Sequence, residues 1–99
     1  MFRSGPGAIN GHMNTLPDDR IIEIAKGVAT ANLAQFWTGT IIPAATTDAL
    51  GRDALEVTFG VTAGSSVTGD MAVNTVFDLN QKLQEEGEER FSTVRYSTE

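Results

Sequence analysis

The chain contains no cysteine. Disulfide cross-links, thiolate nucleophiles and cysteine-ligated metals are therefore excluded. Small secreted domains are commonly stapled by disulfides, so the absence points to a reducing, cytoplasmic setting. Histidine occurs once, as His12, and lysine only as Lys26 and Lys82. No serine stands in a Gly-x-Ser-x-Gly elbow, and no histidine lies downstream to serve one as a base. An enzyme built on this chain would rely on carboxylates, arginines and Tyr96 alone, and a non-catalytic role is expected. No apolar run approaches the roughly 20 residues that cross a bilayer as a helix. No basic start leads into an apolar signal core. Neither membrane insertion nor a bound metal or cofactor is expected.

What is present balances apolar against charged residues, 40% and 20% of the chain. That composition suits a folded domain rather than a disordered chain. With 99 residues there is material for one small core. Thirteen acidic groups against seven basic ones leave a formal net charge of −6. Such a surface repels nucleic acid and anionic membranes and attracts basic proteins.

Residues 1–12, "MFRSGPGAINGH", are glycine-rich and lack any apolar period. Gly11-His12-Met13 reads as the scar of an expression tag, with the natural start at Met13. Residues 1–12 are expected to be disordered, His12 among them, and residues 13–99 to form a single α+β domain.

Apolar spacing then outlines five elements. "TLPD" suggests a helix capped by Thr15, with Pro17 in its first turn and Asp18 and Asp19 at the positive end of its dipole. Ile21, Ile24, Ala25, Val28 and Ala31 recur at helical spacing. Phe36 to Ile42 is rich in aromatic and β-branched residues and reads as a strand stopped by Pro43. Leu55, Val57, Phe59 and Val61 alternate with polar residues, as in a half-buried strand paired to the first as an antiparallel hairpin. A second helix is expected from Gly69 to Glu86, with a stripe of Ala72, Val76, Leu79 and Leu83 widened by Val73 and Phe77. Gly87 is a natural stop. "RFSTVRYS" supplies a third strand. The expected fold is a two-layer α/β sandwich in the order α-β-β-α-β, a small antiparallel or mixed sheet covered by two helices.

The stretch "GSSVTGDM", residues 64–71, lies between strand and helix, where phosphate loops occur. Gly64 and Gly69 have the phosphate-loop spacing, but Asp70 and Met71 replace its lysine and hydroxyl. An aspartate there repels phosphate. Thr68 as helix cap accounts for the stretch better, although the amides near Ser65 and Ser66 could hold a small anion. "EEGEE", Glu85 to Glu89, reads as a solvated helix end. Asp48, Arg52 and Asp53 read as a turn. Arg90 and Arg95 are placed to pair with the acidic run.

Two functions follow. The first is a small acidic interaction module, a homodimer or accessory subunit. Its contacts would come from Phe36, Trp37 and Tyr96, since adjacent strand residues face opposite sides and one aromatic of the Phe36–Trp37 pair should leave the core. One form of it masks a basic protein, as antitoxin-like proteins do. The second is a small-molecule or anion site between residues 62–70 and 46–53, using Arg52, Asp53, Ser65, Ser66 and Arg95.

Overall fold

A computed structural model describes residues 14–99; the expectations for residues 1–12, including His12, lie outside them. Two helices and a three-stranded mixed sheet make an α+β fold. The elements are α1 (Asp18–Asn32), β1 (Trp37–Thr47), β2 (Asp53–Val61), α2 (Gly69–Glu85) and β3 (Phe91–Thr98), with a single 3₁₀ turn, Ala34–Phe36, before β1. β2 is the central strand. It pairs antiparallel with β1 and parallel with β3, and α2 makes the crossover that a parallel neighbour requires.

Burial explains this arrangement. The alternating side chains Leu55, Val57 and Phe59 are at most 1% exposed and share one cluster with Ile21, Ala25, Val28 and Leu33 and with Leu79 and Leu83 of α2. Fully burying each large apolar side chain stabilises by about 1.5–3 kcal/mol. The central strand can touch both helices, and it carries the cleanest alternation in the chain.

Several local expectations are revised. α1 is capped by Pro17, not Thr15: the Pro17 carbonyl accepts from the N–H groups of Arg20 and Ile21 at 3.1 Å each, and no side chain caps the helix. The residues before it are held from outside, because the N–H of Leu16 donates to Glu88 Oε1 at 2.9 Å and that of Glu89 to the Asn14 carbonyl at 3.0 Å. Phe36 belongs to the 3₁₀ turn, and β1 runs from Trp37 through Pro43, which stands opposite Val57, to Thr47. An edge strand has one side that needs no N–H donor, so proline does not end it. β1 also carries a bulge: between the Trp37–Val61 and Ile41–Phe59 pairs, three residues of β1 stand against one of β2, with Gly39 at φ +103° among them.

The second helix keeps its predicted start. Thr68 Oγ1 accepts from the Met71 N–H at 3.2 Å, with Asp70 in the first turn. At its end, Gly87 has φ +105°, its N–H donates to Gln84 O, and that of Glu88 to Leu83 O. This is the double closure of a left-handed helix stop. The stop turns Glu88 inward. "EEGEE" is therefore not wholly solvated: Glu88 is 1% exposed, while Glu86 pairs with Arg20. Glu88 Oε2 accepts from Arg90 Nε at 2.8 Å and Oε1 from Arg90 Nη2 at 3.0 Å. Burial pushes the Glu88 carboxyl up. The hydrogen bonds from Arg90 and the Leu16 N–H outweigh that and hold it below the ordinary carboxylate range.

Candidate interaction surface

The stripe on α2 is broader than one sheet can bury. At about 100° per residue, Leu79 and Phe77 point roughly 160° apart. Leu79 is buried, and Phe77 stays 70% exposed. Val73, next on the same flank, is 67% exposed. Phe91, the first residue of β3, is also exposed. Ala72, Val73, Val76, Phe77, Asn80 and Phe91 line an apolar groove of about 500 Å³. None of the residues lining this groove is charged; Asp78, Lys82 and Glu85 fall on other sides of the helix, while Asp70, about two turns before Phe77, shares its side at the helix start.

The groove runs beside an open strand edge. β3 follows β2 without a bulge from Phe91 to Thr98. In a strand, alternate residues direct both backbone groups to one side or the other. Glu99, just beyond β3, donates to Val61 O at 2.9 Å and accepts from Ala63 N at 3.1 Å, so odd-numbered residues face β2. Even-numbered residues therefore face outward. Ser92 is the first of these, and Asn80 holds both its groups. Asn80 Nδ2 donates to Ser92 O and the Ser92 N–H donates to Asn80 Oδ1, each at 2.8 Å. A third bond, from Asn80 Nδ2 to Val76 O at 3.0 Å, fixes the amide on its own helix. The outward groups of Val94, Tyr96 and Thr98 have no partner among the described residues.

The predicted interface residues divide. Tyr96 stands on this edge strand, half-buried, its ring stacked on Phe59 at 6.4 Å between centroids. Its hydroxyl is buried beside Thr75, and burial raises the phenol's pKa against the opposing pull of that neighbour. Trp37 packs against the core from the opposite edge strand, its indole N–H donating to Thr40 O at 3.1 Å. Phe36 is half-buried in the 3₁₀ turn. The 3₁₀ turn breaks strand alternation between the two aromatics, so neither is forced fully into solvent. Val73 and Phe77 escaped the sequence reading because they were assigned to the core stripe. The stripe's excess width was the available signal.

The predicted ligand residues do not form one site. Residues 48–52 precede β2 and residues 62–68 follow it. At about 3.3 Å per residue, the nine-residue strand sets them about 26 Å apart. They cannot flank a common ligand, because opposite ends of one strand stay apart. Arg52 and Asp53 border a shallow hollow of about 330 Å³ with Asp48, Glu89 and Phe91. There Asp48 closes the turn: its Oδ1 accepts from the N–H groups of Leu50 and Arg52, and Oδ2 from Arg52 Nε, all at 2.9 Å. The Arg52 N–H is the main cause holding the Asp48 carboxyl below its ordinary range. Ser65 and Ser66 sit in the loop at the far end, and Ser65 Oγ has no hydrogen-bond partner among the described residues. Arg95 lies on β3, 3.8 Å from Glu56 across the sheet. Among the described residues no three histidine or carboxylate side chains gather to hold a metal ion, and no helix is long and apolar enough to cross a membrane.

Comparison with known proteins finds no matching family model, and no significant similarity to a curated protein or to a solved structure.

Proposed function

We propose that the chain is an interaction module that acts as a homodimer, two copies joining through the free edge of β3 and the apolar groove along α2. In this reading each copy is a two-layer α-β-β-α-β sandwich, and pairing fuses two three-stranded sheets into one of six strands. The observation that carries it is the coincidence of a bare strand edge with an apolar groove alongside. An edge strand is a template for pairing, and the groove receives the side chains of whatever strand is added.

A second copy fits on charge and on area. In a chain of net charge −6, two copies repel least where charge is sparse, and the groove lined by Ala72, Val73, Val76, Phe77, Asn80 and Phe91 holds none. A two-fold axis through the β3 edge brings α2 against its copy and covers Val73 and Phe77. At about 200 Å² for an aromatic side chain, the exposed parts of Val73, Phe77 and Phe91 total roughly 350 Å² per copy. The open backbone edge and its flanking side chains bring this towards the roughly 1,000 Å² in total that a specific interface needs.

Light scattering across a concentration series tests the reading. The expected mass is twice the chain's 10.6 kDa. Phe77→Glu should return it to the single-chain value with an unchanged fold, because Phe77 contributes little to the core. A mass of one chain at all concentrations sinks the proposal.

A further inference from the structure

We infer that Asn80 sets the register of this dimer, by occupying the Ser92 rung so that the two-fold axis falls at Tyr96. The inference rests on the dimer reading above and concerns which residues meet in it. Asn80 does at the start of β3 what a neighbouring strand would do. Its amide presents one donor and one acceptor to one residue's backbone, and the Val76 carbonyl locks its orientation. Ser92 is closed to a partner, and Val94, Tyr96 and Thr98 remain.

Counting rungs then selects an arrangement. In an antiparallel pair, each facing couple of outward residues exchanges two hydrogen bonds. With Tyr96 opposite the partner's Tyr96, Val94 meets the partner's Thr98 on both sides of the axis. All three open rungs are used, and Ser92 is not needed. Moving the axis by one residue, which slides the strands by two so that Arg95 faces the partner's Arg95, leaves Val94 and Tyr96 facing one another. The Thr98 rung would then require the partner's Ser92, which Asn80 holds. The slide forfeits a third of the bonds, which lowers that register's population by about tenfold or more. Without Asn80 the ranking inverts, because the slid register would have four rungs against three.

The absence of cysteine makes this testable by single-site cross-linking. Arg95 and Ser97 are exposed and directed to the outer sheet face. In the inferred register, Arg95 stands opposite the partner's Ser97 as a non-hydrogen-bonded pair, with Cα atoms about 4.5 Å apart, within disulfide range. Mixing Arg95→Cys with Ser97→Cys under mild oxidation should give the mixed disulfide about tenfold or more over either like-with-like product. In an Asn80→Ala background, Arg95→Cys alone should become the efficient cross-linker. Like-with-like cross-linking of Arg95→Cys with Asn80 intact overturns the inference. So does an unchanged preference in Asn80→Ala chains whose circular dichroism shows them folded. The arm with Asn80 intact decides the register even if that variant does not fold. A dimer by mass without the mixed disulfide refutes the register and leaves the dimer standing, whereas a monomer by mass refutes both.

Discussion

Glu88 offers the sharpest test of how this small fold is held together. Its carboxylate accepts four hydrogen bonds: from the Leu16 N–H at 2.9 Å, from Arg90 Nε at 2.8 Å, from Arg90 Nη2 at 3.0 Å and from the Arg90 N–H at 3.1 Å. Glu88→Gln keeps the shape and removes the charge. Whichever way the amide turns, its NH₂ faces donors, while Arg90, 9% exposed, keeps a charge that water reaches poorly. Removing one member of a buried ion pair costs about 3–5 kcal/mol, and residual solvation of Arg90 places this case near about 3 kcal/mol. Domains of this length are stable by about 5–15 kcal/mol, so the loss is a large fraction of the total. Urea unfolding followed by the fluorescence of Trp37, the only tryptophan, reports it as a lowered midpoint at unchanged slope. Replacing both partners, Glu88→Leu with Arg90→Met, should recover part of the loss, because no charge is then left alone. A Glu88→Gln change below about 0.5 kcal/mol would refute the reasoning and mark the pair as no stronger than a surface contact.

Acid should act through the same group. The folded-state pKa of Glu88 is lowered, so its contribution is present above the ordinary value of 4.5 and is lost as pH falls through the folded value. Urea midpoints of the parent chain should therefore drop more steeply than those of Glu88→Gln as pH falls below the ordinary 4.5. Thr68→Ala removes the hydrogen bond to the Met71 N–H and should cost about 1 kcal/mol in the same unfolding assay. Gly60→Ala should cost about 1–3 kcal/mol, since the added carbon would lie 2.8 Å from Thr40 Cβ and 2.6 Å from Glu99 Oε1, and also against Thr38 Oγ1. Tyr96, the only tyrosine, should ionise above the usual 10 in an ultraviolet titration, with stability falling as pH rises through that value.

Where one local interaction decides the outcome, the sequence sufficed. Thr68 caps α2 because its hydroxyl reaches an N–H three residues on, and Gly87 ends that helix because only glycine enters the left-handed region without strain. The alternation from Leu55 to Val61 marked β2, and Asp70 in place of lysine argued against a phosphate loop. These follow from contacts within a few residues. The sequence misplaced the first cap, the passage of β1 through Pro43 and the solvation of "EEGEE". Each of those depends on a neighbour far along the chain: the 88–89 segment for the start of α1, β2 for Pro43, Arg90 and Leu16 for Glu88.

The candidate surface divides the same way. That a three-stranded sheet leaves edge strands was legible, and β3, with Tyr96 on it, is one of them. Which flank of α2 remains bare was not, because an apolar stripe does not say how much of it the sheet will cover. Packing covered Leu79 and Leu83 and left Val73 and Phe77 outside. The sequence by itself determined the identity and polarity of the elements, which arise from short-range hydrogen bonding and apolar period. Only the tertiary structure decided that β2 lies between a parallel and an antiparallel neighbour, that Asn80 reaches Ser92, and that three rungs of β3 remain open. Those depend on backbone directions across elements, which no local spacing encodes.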